Sequence, residues 1–227
     1  MTKGGSKVKR VYSFLGDFYH SHDVVYQVLN TACEQLGVEL IDTGINDIGT
    51  ALEAAPDAIV MYLENRVNPE SESGFNWLTD ELDSKITGYV KDGGSFFAIH
   101  AGLSSYPPES GYIKMLGGHF VSHPKDNCRV KFTSEQNLPI EDMQGFDFEV
   151  VCDEHYFVKV DEARTTVFLR SSSEHGESVG GWYHSYGKGR VICITPTHTV
   201  EGFEHPEVLR LFQSSLEWSL DGHKGKG

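Results

Sequence analysis

The feature that constrains this chain most is an alternation in its first hundred residues, where short apolar runs are separated by stretches of helical spacing. Residues 8–16, 38–41, 58–63 and 96–99 read as strands, the last a run of Phe and Ile too apolar for a strand with one wet face. Between the first two, Val24, Val25, Val28, Leu29, Ala32 and Leu36 recur at helical spacing, and Gly37 stands where a left-handed helix end belongs. Phe75, Leu78, Leu82, Ile86 and Val90 predict a second helix, stopped by Gly93-Gly94. Strand and helix alternating at this spacing predict parallel βαβ units in an α/β sandwich.

The second half predicts shorter strands, at 128–134, 146–151, 165–170 and 190–195, as extra strands on the same sheet. Gly187-Lys188-Gly189-Arg190 precedes a strand, not a helix, so it predicts a hairpin turn instead of a phosphate cradle. A last helix from Pro206 to about Leu220 places Leu209, Phe212, Leu216 and Leu220 on one face. No linker-like stretch divides the halves. The reading is one domain over residues 8–221, with flexible tails at 1–7 and 222–227.

Composition excludes some functions. With 33 acidic against 19 basic residues the net charge is −14, which repels nucleic acid. No run approaches the ~20 apolar residues of a membrane span, and no apolar signal core opens the chain, so a cytoplasmic location is expected. The four cysteines form no Cys-x-x-Cys pair and read as buried, reduced hydrophobes.

Polar residues gather where strands end, which is where open α/β sheets bind their ligands. The loop after the first strand holds His20 and His22, the loop after the third Glu64 and Arg66, and the fourth strand ends on His100. In a flavodoxin-like strand order these three loops share one rim. His20 or His22 could equally cap the helix that begins near Asp23. Further along come His119, His123, Glu154, Tyr156 and His198, again at element ends. Imidazoles beside carboxylates suit a divalent transition metal such as zinc, or general acid–base chemistry. No His-Glu-x-x-His or comparable tight spacing decides between them. His175, His205 and His223 read as turn histidines bonded to backbone, while Phe18, Tyr19, Tyr106 and Trp182 suit either core packing or the apolar face of a sugar ring.

Several of these segments together resemble the trehalose-utilisation, or ThuA-like, family. They are Gly93-Gly94 through His100-Ala101, Leu116 through Pro124, Asp153-Glu154-His155-Tyr156, and Trp182 with Gly187-Lys188-Gly189-Arg190-Val191. The likeness runs from about Val8 to Leu220. It implies the class I glutamine amidotransferase fold, a flavodoxin-like three-layer sandwich with a mostly parallel central sheet. Two departures stand out. Pro196-Thr197-His198 replaces a Leu-Gly-His turn, and His100-Ala101 lies where amidotransferase relatives carry a nucleophilic cysteine, so glutaminase activity is not expected.

What the resemblance implies is an enzyme acting on a trehalose-like disaccharide or a 3-keto-sugar, by acid–base or metal-assisted chemistry. The expected catalytic groups are His100, Glu154 and His198. His20, His22, Glu64, Arg66, His119, His123 and Tyr156 are the expected substrate-binding groups, and His20, His100 and His198 the candidate ligands for a metal. A non-catalytic sugar- or partner-binding module and a metallohydrolase of another small substrate are the alternatives. The expected partner is a small-molecule sugar, with no nucleic acid and no membrane; homo-oligomerisation is left open.

Overall fold

A computed structural model describes residues 8–221; the two predicted tails, and His223 with them, lie outside the described residues. The chain runs β1 (Arg10–Leu15), α1 (His22–Leu36), β2 (Glu39–Asp42), α2 (Ile48–Glu53), β3 (Ala58–Tyr62), β4 (Arg66–Val67), β5 (Phe75–Asn76), α3 (Asp80–Lys91) and β6 (Ser95–Ile99). It continues with α4 (Gly111–Leu116), β7 (Gly118–Ser122), β8 (Cys128–Ser134), β9 (Asp147–Asp153), β10 (Phe157–Val160) and β11 (Thr166–Ser173). Then come β12 (Gly176–Tyr186), β13 (Gly189–Ile194), α5 (Val200–Phe203) and α6 (Pro206–Leu220).

Nine strands form one sheet in the order β2-β1-β3-β6-β13-β12-β11-β8-β9. From β2 to β13 every pairing is parallel; from β13 to β9 every pairing is antiparallel. The predicted neighbours β1, β3 and β6 do lie side by side. The extra strands of the second half extend the same sheet.

Alternation along each parallel strand divides the core. Ala58, Val60 and Tyr62 of β3, with Phe97 and Ile99 of β6, face α1 and α6. Ile59 and Met61, with Phe96 and Ala98, face α3 and α4. Both faces of these strands are buried, which is why they read as unbroken apolar runs. The result is the three-layer sandwich.

Helix α1 ends as read, with Gly37 at φ 66° capping the carbonyls of Cys33 and Glu34. Helix α6 starts on Pro206 as predicted, with the His205 ring accepting from the Glu207 N–H. Residues 187–188 form the predicted hairpin between β12 and β13.

Two expectations are corrected. The second helix begins at Asp80, where the Thr79 hydroxyl accepts from the Leu82 N–H; Phe75 lies in the short β5 and is 56% exposed. Cys33, Cys128 and Cys193 are buried and free, but Cys152 is exposed because it falls on the outward face of the edge strand β9.

Candidate active site

Three parallel strands deliver three histidines to one point. His20 follows β1, His100 follows β6 and His198 follows β13. The fourth member is Glu154, just beyond the end of the outermost strand β9. One ligand-capable atom from each of the four lies within 4.8 Å of the others. The rings of His20, His100 and His198 have centroids 5.0–5.5 Å apart.

Two of the rings are held from behind. The His100 Nδ1–H donates to the Thr195 carbonyl at 2.7 Å, which leaves Nε2 turned toward Glu154 Oε2 at 3.3 Å. The His20 Nδ1–H donates to Asp17 Oδ1 at 2.6 Å, and the other oxygen of Asp17 accepts from the Glu64 N–H at 2.7 Å. A carboxylate or carbonyl behind each ring is the arrangement that fixes the tautomer of a metal-binding histidine. Neither His20 nor His22 caps α1: Ser21 is its N-cap residue, and it makes no side-chain cap bond. His100 sits on a turn at φ 40° with its ring stacked on Tyr156 at 3.7 Å. A non-glycine residue at positive φ is strained, and such strain collects at functional sites.

Charge follows burial. Burial drives the His100 imidazole down to about 4, His20 and His198 push the same way, and Glu154 opposes them. His198 is also lowered, by burial first. Burial alone would raise Glu154, but His100, His198 and His123 outweigh it and bring the carboxyl to about 2. At neutral pH His100 and His198 therefore offer unprotonated imidazole nitrogens, and Glu154 a carboxylate.

This donor set fits a divalent transition metal. Bonds of about 2.0–2.2 Å place neighbouring ligand atoms roughly 3–4 Å apart, within the spread seen. His198 Nδ1 is buried and makes no hydrogen bond to any described residue, though Glu154 Oε2 lies 3.5 Å away. Imidazole and carboxylate together suit zinc, iron, manganese or nickel more than calcium or magnesium.

The cluster opens into a pocket of about 360 Å³ lined by Tyr19, Glu64, Arg66, Phe120, His123 and Tyr156, among others. Glu64 is buried, and its Oε2 accepts from Arg66 at 2.7 Å and from the Ser105 hydroxyl at 2.7 Å. The Arg66 guanidinium lies over the Tyr19 ring. No cysteine lines the pocket.

The structure thus brings together His20, Glu64, Arg66, His100, His123, Glu154, Tyr156 and His198. It places His22 elsewhere: its ring bonds Asp23 and Asp42 and stacks on Tyr26. His119 lies on β7 opposite Lys159 of β10 and does not line the pocket. Of the aromatic residues, Tyr19 lines it, whereas Trp182 and Tyr106 are buried core, donating to the carbonyls of Leu116 and Leu63. Sequence reading did not single out Asp17, although a carboxylate three residues before a loop histidine was a visible cue. Thr195 acts through its carbonyl, which no side chain announces.

Residues 50–219 match the family model described as ThuA, trehalose utilisation. The chain belongs to the ThuA family. Among solved structures, a ThuA-like protein from Parabacteroides merdae superposes with a TM-score of 0.75 at 12% identity, covering 97% of this chain and 93% of its own. A second, from Bacteroides uniformis, gives 0.69 at 17% identity, with 97% and 96% covered. A β-galactosidase from Rahnella sp. R3 gives 0.62 at 12% identity over 95% of this chain, but only 32% of that enzyme. At these identities the likeness is one of fold. No curated protein matches the sequence. In this ThuA-family member no helix of the described residues is long and apolar enough to cross a membrane.

The buried titratable groups set an acid response for the metal-free protein. His100 and His155 are both held near 4 by burial, against an ordinary 6.5. The unfolded chain therefore binds protons that the fold refuses, and stability falls as pH drops from 6.5 to 4. Asp153, raised by burial to about 6 from 3.8, works the other way in the same window. Two histidines outweigh one carboxyl. With chelator present, the melting temperature should climb from pH 4 to pH 6.5; a flat or falling profile would contradict these placements.

Proposed function

We propose that this ThuA-family protein is a cytoplasmic, metal-dependent enzyme of carbohydrate utilisation that acts on a trehalose-like disaccharide or its keto form. The convergence of His20, His100, Glu154 and His198 carries this reading. These four would hold one divalent ion, with zinc the leading candidate. When bound, the ion would polarise a hydroxyl or carbonyl oxygen.

The remaining roles belong to side chains of the pocket. Arg66, half exposed and anchored on Glu64, offers donors to ring hydroxyls. Tyr19 and Phe120 supply apolar walls for a pyranose face. His123 lies at the mouth, its Nδ1–H donating to the Pro124 carbonyl at 2.6 Å, so its Nε2 is the nitrogen free to exchange a proton with substrate. Glutamine hydrolysis is outside this reading, because the turn that would bear a thiol bears His100 and no cysteine lines the pocket.

The test has two parts. Elemental analysis of the untagged protein should find about one equivalent of zinc, manganese, iron or nickel per chain, removed by chelation and restored by the free ion. Calorimetric titration of the reloaded protein with trehalose and its 3-keto derivative should then show binding that the stripped protein lacks. A protein that neither carries nor takes up a metal ends the metal reading. Metal uptake without affinity for any sugar would leave a metalloprotein of another small substrate.

A further inference from the structure

One carboxylate in this neighbourhood is outside the lining of the site pocket and is not among the four ligand candidates, yet it bonds the loop of His198 from the residue before Glu154. Asp153 is the last residue of β9, on the outer edge of the sheet, four strands away from β13. Its side chain is fully buried. Oδ2 accepts from the Thr197 hydroxyl at 2.7 Å, and Oδ1 accepts from the backbone N–H of His198 at 2.8 Å and of Thr199 at 3.3 Å. The Thr199 hydroxyl returns the link by donating to the Cys152 carbonyl at 2.8 Å. The residue before His198, His198 itself and the residue after it are thus fastened to the residue before Glu154.

We infer that Asp153 is the positioning residue of the metal site, setting Glu154 and His198 at ligating distance across the gap between the antiparallel and parallel halves. This rests on the metal reading above. His20 and His100 have their own supports in Asp17 and Thr195, both within the parallel half. Glu154 follows the edge strand β9 and His198 the central strand β13, four places apart in the sheet order, and the Asp153 bonds, with that of Thr199 to Cys152, join their backbones. On the other side of Glu154, the His155 ring is held between the hydroxyls of Ser173 and Ser171 on β11, so the glutamate is fixed from both neighbours. The chemistry of the contact calls for Asp. All three partners are donors, and an ionised carboxylate is acceptor-only, whereas an amide would turn N–H₂ toward one of them.

The test is zinc affinity, read by chelator competition, with the visible spectrum of the cobalt-substituted protein as a second readout. Asp153→Asn should weaken zinc binding about 10–100-fold, the usual effect of removing a group that orients ligands, and should shift the cobalt bands. Thr197→Val removes one donor and keeps the branched shape; it should weaken zinc binding in the same direction by a smaller factor, and it decides the matter if Asp153→Asn does not fold. Wild-type zinc affinity and an unchanged cobalt spectrum in both variants, even with lowered melting temperatures, would make Asp153 a structural residue only and overturn the inference. Failure of the wild-type protein to bind zinc or cobalt at all would instead overturn the metal reading.

Discussion

His100→Gln should reduce zinc affinity by about two to three orders of magnitude while leaving the protein folded. The magnitude follows from apportioning the roughly 10–16 kcal/mol of a four-ligand zinc site among its ligands, about 3–4 kcal/mol each. Glutamine keeps a polar group near the Thr195 carbonyl and roughly the bulk that stacks on Tyr156, so the cost to the fold is modest. Any sugar turnover should fall at least as far, since acid–base assistance alone accounts for about 100-fold. Metal content after dialysis against a weak chelator is the measurement. Full occupancy in the variant would remove His100 from the ligand set, and with it the reason for its positive φ.

Trp182→Ala should instead lower stability by about 3–5 kcal/mol without changing metal content. For a chain of this length that is a fall in melting temperature of about 10 °C. The indole is completely buried in the layer between the sheet and α3 and α4, and Nε1 donates to the Leu116 carbonyl at 2.7 Å. The alanine variant loses the packing and also strips that buried carbonyl of its strong donor, which adds to the cost. Thermal unfolding with parallel zinc quantification separates the effects. A loss of zinc or of sugar affinity with unchanged melting would return Trp182 to the pocket, where its residue type alone could have put it.

The parallel half of this fold was legible because its strands are buried on both faces, so β3 and β6 are continuous apolar runs and their ends are sharp. The antiparallel half was harder. The longest strand, β12, went unread because Gly180-Gly181 and four polar residues interrupt its pattern. Those glycines are there for packing: a Cβ on Gly181 would meet the Phe168 ring at 2.7 Å. Strands β7 and β10 pair only with each other, away from the main sheet, and are too short to carry a period. At the site, three ligand candidates were readable as polar residues at the ends of parallel strands. Glu154 was readable as a polar residue at an element end, but its place beside the three histidines was not, since nothing in the run of residues says that the end of the outermost strand meets the loop after β13. His22 and His119 look like His20 and His123 in sequence; only the direction of each side chain separates them.

The ligands come from loops at the beginning, middle and end of the chain, three from one half of the sheet and one from the other. An ion cannot be captured by any hairpin or βαβ unit forming alone, because no such unit contains more than one of the four groups. Closing loops of that length costs entropy that only completed packing repays. On the proposed metal reading, uptake would be a late event in folding, and an occupied site would certify that both halves had already found each other.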